Sequence, residues 1–355
     1  MTEVVRVDPE RPNQADIMRA AECLRCGGLV AFPTETVYGL GVHAMDRAAV
    51  RRLFEAKRRP ANDPLIVHVS AFDQVAPLVA SLPNAAEQLA ARFWPGALTL
   101  VMRRASPVPL EVTAGLDTVA LRVPAHPVAH ALLVAASLPV AAPSANLFSR
   151  PSPTLAAHVL EDLDGRIDMI IDAGPTPVGV ESTVLDLTVD PPAVLRPGAI
   201  SVEMLRTLVP VIGLGEVRAA AGAHEPMPSP GLLSKHYAPL APMTIYGGDA
   251  AAAGRALAAA VRAAVASGRR VGVMATTGDV RALGAMSVVV AVLGSDDDAE
   301  ATAARLYAAL RELDAARVDV ILTRDVVRDH GLWLAIRDRL HRAAARVIMV
   351  GAPDA

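Results

Sequence analysis

The sequence predicts an α/β protein in two domains, and three observations carry that prediction. Short apolar runs alternate with stretches of helical periodicity, as expected for helices packed on a sheet. From Gly213 to Pro242 the pattern dissolves into Gly, Pro and Ala with no periodicity, which reads as a linker, and beyond it the alternation restarts. The 355 residues are 52% hydrophobic, 20% charged and 3% aromatic, which excludes disorder and implies a core of Ala, Val and Leu. The resulting division is a first domain over 1–210, a linker over 211–242 and a smaller domain over 243–355.

Asn13 to Cys26 has helical spacing at Ile17, Ala20 and Leu24 and stops at Gly27; Leu29 to Phe32 follows as a strand stopped by Pro33. Asp46 is placed to cap a helix running to about Arg58, before Pro60. Leu65–Val69, Leu98–Met102, Val119–Val123, Val140–Ala142 and Met169–Ile171 read as strands. Helical stretches at Ala85–Phe93, Val128–Ala136 and Thr154–Leu163 separate them. In the second domain Met243–Tyr246, Val271–Ala275, Val288–Leu293, Val318–Thr323 and Val347–Val350 read as strands. Helices are expected at Ala250–Ser267, Ala299–Asp314 and Trp333–Arg342, giving a largely parallel sheet. Asp296-Asp297-Asp298 is expected to cap a helix, and Arg337 to Arg342 to form a solvated helix face.

Several function classes fall away by inspection. The net charge of −3 supplies no chain-wide field for nucleic acid or membrane. Met1 to Glu10 is acidic where a signal peptide needs an apolar run, and the uncharged stretch Ala131–Ser149 is broken by Pro139 and Pro143, so a cytoplasmic, non-membrane location is expected. Cys23 and Cys26 are expected as small buried hydrophobes, since no second pair completes a zinc site. Neither lysine follows a Gly as a P-loop needs, no Gly-x-Gly-x-x-Gly or Gly-x-Ser-x-Gly occurs, and His126 and His130 lack a neighbouring Glu. No metal-ligand set is assigned.

Polar residues concentrate instead in segments that should be apolar core. Pro33-Thr34-Glu35-Thr36-Val37-Tyr38-Gly39-Leu40-Gly41 follows a strand at the end where open sheets place ligands; the alternative is a turn satisfying its own backbone. Of 34 cationic residues only Lys57 and Lys235 are lysines, and Lys57 opens Lys57-Arg58-Arg59-Pro60, ahead of Asn62-Asp63-Pro64-Leu65 and His68. Charge matching at a helix C-terminus is the competing explanation for that run, and a satisfied core histidine is the one for His68. Arg122 lies mid-strand, where a charge needs an anion or a carboxylate partner. Pro143-Ser144-Ala145-Asn146, Ser152, Glu181-Ser182-Thr183-Val184 and Arg196-Pro197-Gly198 add hydroxyls and a further cation. Such a lining suits phosphates and a carboxylate held by charge-assisted hydrogen bonds, and positioning more than covalent catalysis.

These runs resemble the YrdC-like family, and Ser229-Pro230-Gly231 with His236-Tyr237-Ala238-Pro239 resembles the long two-domain threonylcarbamoyl-AMP synthases within it. The resemblance spans essentially the whole chain. It implies a twisted mixed sheet with helices around a concave site, followed by a Rossmann-like domain. The implied reaction joins L-threonine, bicarbonate and ATP, with magnesium accompanying ATP, into threonylcarbamoyl-adenylate and pyrophosphate. The product passes to the transferase machinery that modifies tRNA, with weak direct tRNA binding at most. Position by position, it implies Thr36, His68, Arg122, Ala142 and Ser182 for threonine. Arg59, Asp63, Thr118, Ser144, Asn146, Ser152 and Arg196 are implied for the nucleotide, with Tyr237 as part of a lid over it. Lys57 and Arg59 are implied as catalytic cations. The order Asn62-Asp63, where the family often reads Asp-Asn, and the segment Leu232 to Lys235 depart from its pattern.

Two other readings compete. An RNA-binding module of the same fold would draw on Lys57-Arg58-Arg59, but basic patches interleaved with aromatics are lacking. A carbamoyl-adenylate former, as in hydrogenase maturation, would normally carry acylphosphatase and zinc-finger segments, for which the chain has no room.

Overall fold

The structure, a computed structural model, describes residues 1–213, 236–283 and 286–351. Ser229-Pro230-Gly231 and the segment Leu232 to Lys235 lie outside the described residues. The chain forms two compact units: residues 1–148 with 152–213, and residues 149–151 with 236–351.

The first unit is built on a ten-stranded mixed sheet: β1 Glu3–Arg6, β2 Val30–Pro33, β3 Tyr38–His43, β4 Ile66–His68, β5 Leu98–Arg103, β6 Thr118–Arg122, β7 Val140–Ala141, β8 Met169–Asp172, β9 Thr183–Asp186 and β10 Ala193–Arg196. The spatial order is β1-β8-β2-β3-β7-β4-β6-β5-β9-β10. Successive β2 residues serve opposite faces, as a pleated strand requires. Leu29 and Ala31 join one core cluster, while Val30 and Phe32 join another with Ile17, Leu24, Val128 and Leu132. Those last four lie on α1 (Gln14–Arg25) and α5 (Pro127–Ala136).

Local chemistry sets the helix that leads to the site. Asp46 accepts from the amides of Ala48 and Ala49 and starts α2 (Arg47–Lys57), and Arg58 ends it in the left-handed conformation at φ 52°. The turn leaves Arg58 exposed while Lys57 and Arg59 are buried. C-terminal charge matching therefore describes Arg58 alone.

Four expectations are corrected in this unit. The run after Pro33 is a turn over 34–37, where the Thr34 hydroxyl satisfies the local backbone, and from Tyr38 it is a strand, β3, pairing antiparallel with β2. The N-terminal strand β1 and the hairpin β9–β10 were not expected. Cys26 is exposed, against expectation, while Cys23 is half-buried and packs against the cluster of Ile17 and Leu24. Both thiols are pushed upward, Cys23 to about 11 by burial and Cys26 by its hydrogen bond to Glu22, so both stay protonated and unreactive.

The second unit is a five-stranded parallel sheet in the order β13-β12-β14-β11-β15. Its strands are β11 Met243–Gly248, β12 Val271–Thr276, β13 Val289–Gly294, β14 Val320–Arg324 and β15 Arg346–Val350. Between them run α8 Ala250–Ala266, α9 Thr277–Leu283, α10 Ala299–Ala315 and α11 Gly331–Ala343. Asp298 caps α10 through the Ala301 amide, as the acidic run suggested. The arginine face of α11 is not solvated. Arg339 is fully buried with its guanidinium 5.6 Å from the Tyr237 ring centroid, and Arg342 is buried beside Asp338. A planar cation can be buried there because it meets a carboxylate and an aromatic face at once. Among the described residues no helix is long and apolar enough to cross a membrane.

Candidate active site

The hairpin β2–β3 and the strands β4, β6 and β7 bring four of the five residues assigned to threonine together. His68 pairs in register with Arg122 on β6 and with Val140 on β7. The Ala142 amide donates to Ile66 O at 2.9 Å, placing it beside His68's strand. Arg122 is 3% exposed and donates through Nη1 to Thr36 Oγ1 at 3.0 Å and through Nε to Gly96 O at 3.1 Å. Its Nη2 forms an ion pair with Glu35 Oε1 at 2.6 Å, while Glu35 Oε2 accepts from the Ala125 amide at 3.0 Å. That contact lacks hydrogen-bond alignment, so Glu35 balances the guanidinium by charge while Nη2 has no hydrogen-bond partner among the described residues. A planar guanidinium with unused N–H groups is the chemistry a substrate carboxylate needs.

His68 is buried against the edge of the Phe32 ring, at 6.4 Å between centroids, and its Nδ1 has no hydrogen-bond partner among the described residues. Burial, followed by the charge of Arg122, pushes its pKa down to about 3. The ring is neutral at pH 7 and can accept or donate a hydrogen bond without adding charge beside Arg122. The unfolded chain binds the His68 proton near 6.5 and the folded chain only near 3, so stability falls as pH drops through that window. Urea unfolding of His68→Gln should accordingly lose about 2 kcal/mol less stability than wild type between pH 7 and pH 5. Parallel pH profiles for the two proteins would contradict a neutral buried ring.

A second group forms around α2. Lys57 is 1% exposed, and its Nζ donates to the carbonyl oxygens of Ser144 and Asn146, tying α2 to the loop after β7. Burial, and then Arg59, hold its pKa well below the usual lysine range. Arg59 forms an ion pair with Asp63 at 2.8 Å, both side chains being 5% exposed, and donates to the carbonyls of Asp63 and Pro64. The carboxylate at position 63 thus acts on Arg59, which is what the Asn62-Asp63 order does in this chain.

The β9–β10 hairpin supplies the third group. Ser182 Oγ lies 2.8 Å from Thr99 Oγ1 and accepts from Arg196 Nη2 at 3.2 Å, while Arg196 Nε donates to Ser182 O at 3.1 Å. A Cβ on Gly198 would lie 2.3 Å from the Thr183 amide, so the glycine is what lets the Arg196 turn approach Ser182. Ser152 Oγ donates to Glu181 Oε1 at 2.5 Å. Thr118 opens β6 and Arg122 closes it, which puts them about 13 Å apart at strand spacing. Tyr237 belongs to the second unit, 1% exposed, with its ring 5.4 Å from that of Tyr307, rather than to a loose linker.

Sequence reasoning passed over Glu35, Glu181 and Thr99. The two glutamates sit inside recognised motifs and were legible as carboxylates next to substrate-facing hydroxyls. Thr99 is a fully buried hydroxyl in an apolar strand, the one local sign of its pairing with Ser182.

The fold and site define an α/β protein whose mixed-sheet unit carries buried cations paired with hydroxyls, carbonyls and carboxylates on neighbouring strands and loops. The chain belongs to the Sua5/YrdC family, in its two-domain threonylcarbamoyl-AMP synthase form. The family profile described as "Telomere recombination" (Sua5_yciO_yrdC) matches residues 22–198, and that of the threonylcarbamoyl-AMP synthase C-terminal domain matches residues 200–345. A threonylcarbamoyl-AMP synthase of Pyrococcus abyssi is 43% identical over 99% of this chain and all of its own length. One from Bacillus subtilis is 44% identical over 95% of both. The crystal structure of P. abyssi Sua5 complexed with L-threonine superposes with a TM-score of 0.90 at 42% identity, covering 98% of this chain and 100% of that one.

Proposed function

We propose that the first unit condenses L-threonine, bicarbonate and ATP into threonylcarbamoyl-AMP and pyrophosphate, for transfer to tRNA by a separate transferase. The observation that carries this reading is Arg122, a buried guanidinium held by Thr36 and Gly96 and balanced by Glu35, whose Nη2 has no hydrogen-bond partner among the described residues. Thr36, the neutral His68 and the Ala142 backbone surround the amino acid, with Ser182, the residue before β9, beside it. Bicarbonate takes up a proton and loses water to give CO2, and the threonine amine adds to that CO2, releasing a proton, to give a carbamate. A carbamate oxygen then forms a bond to the α-phosphorus as the bond to the bridging oxygen breaks and pyrophosphate leaves. The protein supplies no nucleophile, only position and positive charge.

Arg59 and Arg196 stabilise the phosphates, with Ser144, Asn146, Ser152 and Thr118 on the nucleotide. Asp63 acts there through Arg59, and Lys57 both fixes the Ser144–Asn146 loop and adds charge. Magnesium enters as part of the MgATP substrate. Pyrophosphate release measured with MgATP and bicarbonate should depend on L-threonine. Release unaffected by threonine, or carbamoyl phosphate replacing it, would move the assignment to another adenylate-forming reaction.

A further inference from the structure

We propose that the second unit binds an uncharged nucleoside in a cavity at the carboxyl edge of its parallel sheet, a site separate from the proposed synthase chemistry. The topology places the cavity. In the order β13-β12-β14-β11-β15, the chain leaves β12 toward β13 on one side and leaves β14 toward β15 on the other. β12 and β14 are adjacent, so a topological switch point lies between them, and open α/β sheets bind ligands in the crevice at such points. A cavity of about 340 Å³ opens there, bounded by the ends of β12, β13 and β14 and by the residues that follow β14. Its size falls within the range of small-molecule sites.

The lining selects the ligand. Met274, Leu293, Trp333 and Leu340 form an apolar wall, all 7% exposed or less. On the same lining the Thr276 hydroxyl lies 3.1 Å from Asp279 and 3.0 Å from Asp296, donating to one of them. Arg324 reaches the same two carboxylates at 2.9 and 2.6 Å. The cavity thus combines apolar side chains with a preformed polar network. An anion is disfavoured, because Asp279, Asp296 and Asp325 line the cavity and aspartates already occupy the N-terminal ends of three of the four helices, Asp249 on α8, Asp279 in the first turn of α9 and Asp298 on α10, α11 having none. A cation is disfavoured too, since Arg324 and Arg328 face the cavity and Arg328 lies 5.5 Å over the Trp333 ring. The lining therefore suits a neutral molecule with a flat apolar face for the Met274–Leu293–Trp333 wall and hydroxyl donors for Asp279 or Asp296. A nucleoside without phosphate combines the two, its ribose diol meeting a carboxylate at a strand end.

The chain has two tryptophans, Trp94 and Trp333, so full-length Trp94→Phe carries Trp333 as its sole indole and reports on this wall directly. Adenosine, titrated as the probe, should quench that emission saturably, and AMP should bind at least tenfold more weakly. Asp296→Asn, a change at a half-exposed side chain, and Thr276→Val should each weaken adenosine binding about tenfold or more. Should Trp94→Phe disturb folding, the difference between wild type and Trp333→Phe gives the same readout. No saturable response to 10 mM adenosine, or an unchanged response in both cavity variants, would overturn the site. AMP binding as tightly as adenosine, or spermidine producing the saturable response in its place, would overturn the ligand class.

Discussion

Arg122→Ala should remove the threonine dependence of pyrophosphate release, lowering kcat/KM for threonine by about a thousandfold, with the KM for ATP nearly unchanged. The magnitude follows from what the side chain does at once. It is buried, its charge is balanced by Glu35 at 2.6 Å, and its Nη2 has no hydrogen-bond partner among the described residues. Arg122→Lys should fail almost as badly, because a point charge at the same depth cannot offer two parallel donors or span Thr36 and Gly96. Truncation also strands the Glu35 carboxylate, at a cost of about 3–5 kcal/mol to stability, so unfolding and not catalysis could explain a null result. The double variant Glu35→Gln/Arg122→Ala separates the two. It should recover most of the stability and none of the threonine dependence. Threonine-dependent turnover within tenfold of wild type in either arginine variant would remove Arg122 from the carboxylate site.

That arrangement shows what a sequence can disclose and what it withholds. An arginine amid Val119, Ala120, Leu121 and Val123 announces that a counter-charge exists, since burying an unpaired cation is prohibitive. It cannot say that the partner is Glu35, 87 positions away and delivered by a hairpin whose second strand looked like a loop. The hairpin was hidden by its own composition. Gly39 and Gly41 read as turn residues, whereas Gly41 is there because a Cβ would sit 2.8 Å from Phe32 and 2.9 Å from Val140. Helices were legible because capping and 3.6-residue spacing are local, as at Asp46 and Asn13. Partnerships across the sheet, such as Thr99 with Ser182, depend on strand order, which no local pattern encodes. The arginines of α11 failed for a related reason. A row of charges is a solvated face only when nothing packs on it, and Tyr237, about 100 residues earlier, packs on Arg339.

Lys57 offers the sharpest link between composition and site, and its substitution by arginine should be among the most damaging in the chain. In a protein that uses arginine almost wherever a cation serves, a lysine that survives marks a place where the planar fork does not fit. The structure supplies the reason. The ammonium sits fully buried between the carbonyls of Ser144 and Asn146, two acceptors that converge on one point. A guanidinium there carries extra volume and more donors than the enclosure has acceptors, so Lys57→Arg should cost about 2–3 kcal/mol and raise the KM for ATP by displacing the 144–146 loop. Lys57→Met keeps the volume but leaves two carbonyls without their donor, a loss of similar size from the opposite cause. Unfolding free energies and ATP titrations on both variants decide the matter. If arginine is tolerated while methionine is not, charge alone is required at position 57. If both fail together and ATP affinity falls more than threonine affinity, the side chain holds the nucleotide loop in place as well as lending it charge.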